Sequence, residues 1–173
     1  MFLIATAARS GEVRLANWSE IDLGARLWTV PAERMKAGAE HIAPLNDVAM
    51  SVLTRLHSES GGKGLIFANA KGAALSDMTL TKLLRDAGLS VTAHGFRSTF
   101  RDWAAEQMTH IPDPVAEAVL AHKVPDAVIK AYKRTTFLEL RRDLMAAWSS
   151  FMLGKPATQN SDATQMEGSR MAG

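Results

Sequence analysis

Helical punctuation fills the second half of this chain, and it limits more than any other feature what the chain can fold into. From Ser76 onward, apolar residues recur at helical spacing between residues that start or stop helices. The spacing predicts one helix over about 77–87, closed by Gly88, and another over about 93–107. Pro112-Asp113-Pro114 opens a third that runs to about Ala121, and Pro125 opens a fourth that reaches about Tyr132. Phe137, Leu140, Leu144, Trp148 and Phe151 then form one apolar stripe on a last helix, which reads as a packing face.

The first half is mixed. The opening Phe2-Leu3-Ile4-Ala5 reads as a first helix cut partway, so the chain is expected to be truncated at its N-terminus. Ser10 is placed to cap a short helix over 11–17, with Glu12 favourable in its first turn. Leu27-Trp28-Thr29-Val30 and His41-Ile42-Ala43-Pro44-Leu45 lean to strand on either side of a polar, glycine-containing connection over 31–40, the pattern of a hairpin. Asn46 or Asp47 caps a helix with Val48, Val52, Leu53 and Leu56 on one face, broken at Ser60-Gly61-Gly62. Leu65-Ile66-Phe67-Ala68 is expected to be another short strand. The whole predicts a mainly α fold with a small β-hairpin or sheet (α+β) over residues 1–153. After Leu153 the composition turns polar and carries no aromatic residue, so 154–173 is expected to be a disordered tail.

Composition excludes several chemistries. The chain has no cysteine, which removes disulfides, thiolate metal sites and cysteine nucleophiles and suits a reducing cytoplasm. The five histidines, His41, His57, His94, His110 and His122, form no His-Glu-x-x-His pattern, so no metal and no cofactor are expected. No apolar run approaches the roughly 20 residues that span a bilayer, and the first residues lack a positively charged leader; no membrane association is expected. A net charge of +2 does not by itself announce nucleic acid. The basic stretch Lys130-Ala131-Tyr132-Lys133-Arg134, taken alone, describes a solvated face as well as a site.

What remains is a set of phosphate-binding side chains in sequence around one tyrosine. His94-Gly95-Phe96-Arg97 puts His and Arg three apart near a helix start, hence on one face. Leu120-Ala121-His122 follows, and then Ala131-Tyr132, which holds the only tyrosine. Upstream, Ala7-Ala8-Arg9-Ser10-Gly11-Glu12 supplies an arginine ahead of a helix, and Lys36 lies in the hairpin connection. In this order the sequence resembles the tyrosine recombinases, especially the integrases of phages and genomic islands. Arg9 with Glu12, Lys36, His94 with Arg97, His122 and Tyr132 correspond to the family's successive motif residues. The wording Asn17-Trp18-Ser19-Glu20-Ile21-Asp22-Leu23 and His94-Gly95-Phe96-Arg97-Ser98-Thr99-Phe100-Arg101-Asp102-Trp103 strengthens the resemblance, which covers nearly all of 1–153. Two positions depart from it. The family usually has glycine where this chain has Ala7, and often where it has Ala121; both changes are tolerable where the local φ is negative.

The resemblance implies a tyrosine recombinase catalytic domain over 1–153, without the upstream helical domain that clamps DNA in family members. It implies site-specific integration or recombination through a 3′-phosphotyrosine intermediate, acting on double-stranded attachment-site DNA, with tetramers formed on DNA by the full-length protein. Tyrosine has a pKa near 10, so only about one molecule in a thousand is phenolate at pH 7 and the nucleophile needs activation. Arg9 and Arg97 would hold the non-bridging phosphate oxygens, since a guanidinium fork binds two oxygens and stays charged. His122 would donate to the same phosphate, and His94 would bind it or take the Tyr132 proton. Lys36 would protonate the leaving 5′-oxygen, with Glu12 orienting an Arg or His from behind. Three alternatives stay open: a type IB topoisomerase-like enzyme, an integrase remnant that folds without recombining, and a helical domain with no catalytic role.

Overall fold

A computed structural model of the chain describes residues 1–122 and 137–155. The fourth helix expected from Pro125, Tyr132 with its basic neighbours, and all but the first two residues of the expected tail lie outside the described residues.

The described elements run α1 (Phe2–Thr6), α2 (Ser10–Arg14), a 3-10 turn (Trp18–Glu20), β1 (Ile21–Asp22), β2 (Leu27–Val30), a second 3-10 turn (Ala32–Arg34), β3 (His41–Pro44), α3 (Asp47–Ser60), α4 (Thr79–Asp86), α5 (Gly95–Gln107), α6 (Asp113–Val119) and α7 (Leu138–Met152). This is the mainly α fold with a small sheet that the sequence implies. The hairpin pairs antiparallel with Leu27 opposite Pro44 and Val30 opposite His41. A strand not foreseen, β1, adds to its other edge with Ile21 opposite Trp28. It is two residues long because Asp22 accepts the Ala25 N–H at 2.7 Å and turns the chain at once.

Several boundaries differ from expectation. The second helix begins at Ser10 rather than after it. Arg9 is its N-cap, because the Glu12 carboxylate reaches back to the Arg9 backbone N–H at 2.8 Å. The expected strand at Leu65–Ala68 is reduced to isolated bridges, Asn17 with Leu65 and Ala68 with Ala74. Its neighbour leaves for a 3-10 turn at Trp18, and the Asn69 side chain gathers the N–H groups of Lys71 and Ala73 into a turn. The helix expected from 93 begins at Gly95, whose N–H goes to the Thr92 hydroxyl at 3.0 Å. The helix expected to reach Ala121 ends at Val119, because Ala121 is left-handed.

The interior forms two clusters. One gathers Phe2, Trp28, Val30, Ala49 and Leu53 between α1, the sheet and α3; the other gathers Phe100, Trp103, Val115, Leu144, Met145 and Trp148 between α5, α6 and α7. On α7 the buried face is Arg141, Leu144, Met145, Trp148 and Ser149, so the expected stripe is displaced: Leu140 and Phe151 are exposed. A buried asparagine ties the clusters. Asn46 accepts the Ala49 N–H at 3.0 Å, capping α3, and its amide donates to the carbonyls of Ala5 at 2.8 Å and Met145 at 3.1 Å. Trp148 adds a second tie by donating to the Ile4 carbonyl at 2.9 Å. The joint between the clusters is where α1 ends and α5 begins, and there the polar residues collect.

Candidate active site

The site is assembled around Arg97. Its position in the first turn of α5 would ordinarily leave an arginine in water; here it is 4% exposed. One arm of the guanidinium donates to the Ala7 carbonyl, and the other donates to the Leu120 carbonyl at 2.7 Å. Ala7 stands two residues before Arg9, and Leu120 two before His122. One buried cation therefore fixes the chain at both places where a further candidate side chain, Arg9 or His122, follows. Burial pushes Arg97 down to about 10, the charge of Arg9 pushes the same way, and Glu12 and Glu117 oppose. It stays charged at neutral pH.

A left-handed residue stands at each of these carbonyls, Ala7 itself after α1 and Ala121 next to Leu120 after α6. Ala7 has φ +49° and Ala121 φ +50°. The condition under which these two alanines would be easily tolerated, a negative φ, is not met: each occupies the conformation that glycine takes without a Cβ penalty. At the end of α6 the pattern is a Schellman motif, with His122 N–H on the Glu117 carbonyl at 2.9 Å and Ala121 N–H on that of Ala118 at 3.2 Å.

Arg9 is about a quarter exposed and donates to Glu12 at 2.7 Å, while the Glu12 carboxylate itself is buried. His122 lies with Nε2 3.5 Å from Arg97 Nη2 and Nδ1 2.6 Å from Glu117 Oε2. The structure thus brings Arg9, Glu12, Arg97 and His122 together. It does not bring in the other two described candidates. His94 is the exposed N-cap of α5, so it does not share the buried setting of Arg97, and its side chain makes no hydrogen bond or ion pair with the described residues. Lys36 is exposed just beyond buried Met35 in the β2–β3 connection and likewise has no such partner. Tyr132 lies outside the described residues.

Sequence reasoning missed two groups here. Glu117 accepts from His122 and, through its other oxygen, from Arg101 Nε at 2.6 Å; Arg101 also pairs with Asp113 at 3.1 Å. Burial pushes the Glu117 carboxyl up, but the bonds from His122 and Arg101 outweigh it and leave it below the usual range. The signal was Glu five residues before His across a helix end, hidden because the expected glycine between them is Ala121. The second is His41, at the start of β3. Burial brings it down to about 4, with Arg141 adding to the fall, Glu12 opposing, and Arg9 and Arg97 adding further. A neutral imidazole thus stands in the field of three arginines. Arg141 is 4% exposed, bonded to the Ile42 carbonyl at 2.8 Å, and its Nε is buried without a partner among the described residues.

Chemically, the arrangement presents two guanidinium groups and an imidazole, one guanidinium and the imidazole each backed by a carboxylate. That set suits an oxyanion with several oxygens, such as a phosphodiester. Among the described residues, no group of His, Asp and Glu is placed to hold a metal ion, and no helix is long and apolar enough to cross a membrane.

Comparison with known proteins gives consistent findings. The model of the phage integrase family matches residues 1–139. The chain is 35% identical over 156 residues to prophage integrase IntA of Escherichia coli (strain K12), covering 88% of this chain and 37% of that protein. It is 33% identical over 168 residues to the integrase of Enterobacteria phage P4, covering 86% and 38%. It therefore spans well under half the length of these relatives. Among solved structures, the integrase from mycobacterium phage Brujita is similar with a TM-score of 0.61 at 16% identity, covering 84% of this chain and 49% of that one. A lambda integrase dimer bound to a COC' core site gives 0.53 at 25% identity, covering 70% and 48%.

Proposed function

The chain belongs to the phage integrase family, and from that premise we propose that it carries the strand-cleaving and strand-joining chemistry of site-specific DNA recombination. The observation that carries this reading is the grip of buried Arg97 on the carbonyls of Ala7 and Leu120, which gathers Arg9, Glu12 and His122 into one anion-binding site. Its partner is double-stranded DNA at attachment sites, as in the lambda integrase complex with a core site. Residues 1–153 are the catalytic domain, and the full-length protein assembles as a tetramer on DNA.

In the proposed reaction the Tyr132 phenol oxygen attacks the scissile phosphorus, and the phosphorus–5′-oxygen bond breaks. Arg9, Arg97 and His122 carry the charge that builds on the non-bridging oxygens, and loss of one such group costs on the order of 10²–10³ in rate. His94 takes the phenol proton and Lys36 supplies one to the leaving 5′-oxygen, each brought in from the exposed position it holds here. Attack by a second 5′-hydroxyl on the phosphotyrosine then reverses the steps, conserving the bond energy so that no nucleotide cofactor is needed.

The test is covalent capture. The chain incubated with nicked suicide duplexes carrying attachment-site sequence should form a denaturation-resistant protein–DNA adduct, and Tyr132→Phe should form none. An undiminished adduct in that variant assigns the nucleophile elsewhere. Relaxation of supercoils without strand exchange would favour a topoisomerase-like reaction instead.

A further inference from the structure

We propose that Glu117 is a positioning residue for strand cleavage: it fixes the ring orientation and tautomer of His122, and is itself fixed by Arg101. The proposal rests on the reading of His122 as a phosphate-binding residue.

The geometry determines the tautomer. Glu117 is an acceptor only and, at 2.6 Å, the near neighbour of the ring; Arg97 Nη2 stands 3.5 Å from Nε2, at the limit of a hydrogen bond. The proton of the neutral ring then sits on Nδ1 and is donated to Glu117 Oε2, at 2.6 Å. The other Glu117 oxygen is taken by Arg101 Nε at 2.6 Å, and Arg101 is braced by Asp113 at 3.1 Å. Both carboxylate oxygens are thus engaged by donors on opposite sides, and the side chain has one way to stand. A carboxylate behind an imidazole is a recurrent device for holding the ring and choosing its tautomer.

The backbone explains why these two residues meet. In the Schellman motif that ends α6, Glu117 provides the carbonyl that receives the His122 N–H at 2.9 Å. That bond folds the chain back so that the side chains five residues apart lie side by side, a place where such motifs usually set an apolar contact. Here the contact is a charged hydrogen bond. For Nε2 to donate to a phosphate oxygen while Nδ1 stays on Glu117, the ring must carry both protons, and Glu117 is the counter-charge of that form.

Glutamine at 117 sharpens the test. It has one acceptor oxygen where two donors converge, and the Arg101 cation cannot face an NH₂ group. The amide oxygen therefore turns to Arg101 and the NH₂ faces His122, which must accept at Nδ1 and move its proton to Nε2. Long-range ¹⁵N–¹H correlation spectra of the 173-residue chain, at a pH where the ring is neutral, read this directly; the His122 signals are identified by their loss in His122→Asn. Expected are an Nδ1–H pattern in wild type and an Nε2–H pattern in Glu117→Gln. Nε2–H in wild type, or an unchanged pattern in the variant, overturns the proposal. Should that variant not fold, Glu117→Ala is read in its place, and an Nδ1–H pattern kept there overturns the proposal equally.

Single-turnover adduct formation is the second readout. Glu117→Gln should be slower by roughly 10- to 100-fold, the usual cost of removing such a support. The same change in a His122→Ala background should cost nothing further, since its target is gone. An equal loss in both backgrounds makes Glu117 a structural residue and overturns the assignment. Absence of adduct from wild type would instead count against the strand-cleavage reading, and the spectra would still judge Glu117.

Discussion

Ala121 carries a backbone cost that equivalent positions in the same chain avoid. The helix ends at α4 and α7 repeat the α6 pattern, with Leu89 N–H on the Leu84 carbonyl at 3.0 Å and Lys155 N–H on that of Ser150 at 2.9 Å. There the left-handed residues are Gly88 and Gly154, whereas α6 has Ala121 at φ +50°. A left-handed alanine costs roughly 1–2 kcal/mol, of which glycine would return part to the freedom of the unfolded chain. Ala121→Gly is expected to stabilise the protein by about 0.5–1 kcal/mol, a gain of a few degrees in Tm. Ala7→Gly, at φ +49°, should behave alike. Thermal melts check this, and a clear loss of stability in either variant would show that the methyl group packs for more than the strain costs. At this scale the sequence showed that Ala7 and Ala121 were unusual. It did not show the sign of φ, which is set by where Arg97 needs its carbonyls.

Elements were legible where a local rule acts alone. The β2–β3 hairpin pairs across residues the sequence marked as strands, and α3 starts behind Asn46 and stops at Gly61. Where an element depends on a neighbour, the reading slipped. β1 exists because it finds the open edge of β2, and the stretch at Leu65 fails as a strand because its partner turns away. On α7 periodicity gave the right helix and a displaced face: Arg141 lies inside and Phe151 outside, because the Ile42 carbonyl waits for a donor on the inner side. Asn46 serves as a cap in sequence terms, yet in the structure it also joins α1 to α7. Asn46→Ala would remove the cap and leave the Ala5 and Met145 carbonyls without that donor. The expected loss is about 2–4 kcal/mol, more than the ~1 kcal/mol typical of a cap alone. Chemical denaturation measures it, and a loss confined to the cap value would show that the two carbonyls find other partners.

At the level of the whole molecule, two apolar clusters meet along a polar seam, and the charges on that seam link stability to pH. His41 falls from 6.5 to about 4 on folding, through burial first and then the surrounding arginines. Its folded value lies below its unfolded one, so the unfolded chain binds the extra proton between these pH values. The stability this neutral histidine contributes is full above about pH 6.5 and is lost as pH falls towards 4. Between pH 7.5 and pH 5 the loss should be about 1–2 kcal/mol, read from urea unfolding at the two pH values. His41→Asn should flatten that slope, and a variant with the wild-type slope would move its origin to another group.

By itself the sequence determined the order of the candidate site residues, the mainly α class, the hairpin and most helix limits, because spacing, capping and punctuation act over a few residues. Tertiary structure alone decided which of those residues meet. Arg97 reaches carbonyls 90 and 23 residues away, and His122 acquires Glu117 because a helix end folds back on itself. Those contacts depend on two left-handed backbones and on burial that removes water as a competing partner. Neither quantity is written in any short stretch of the chain.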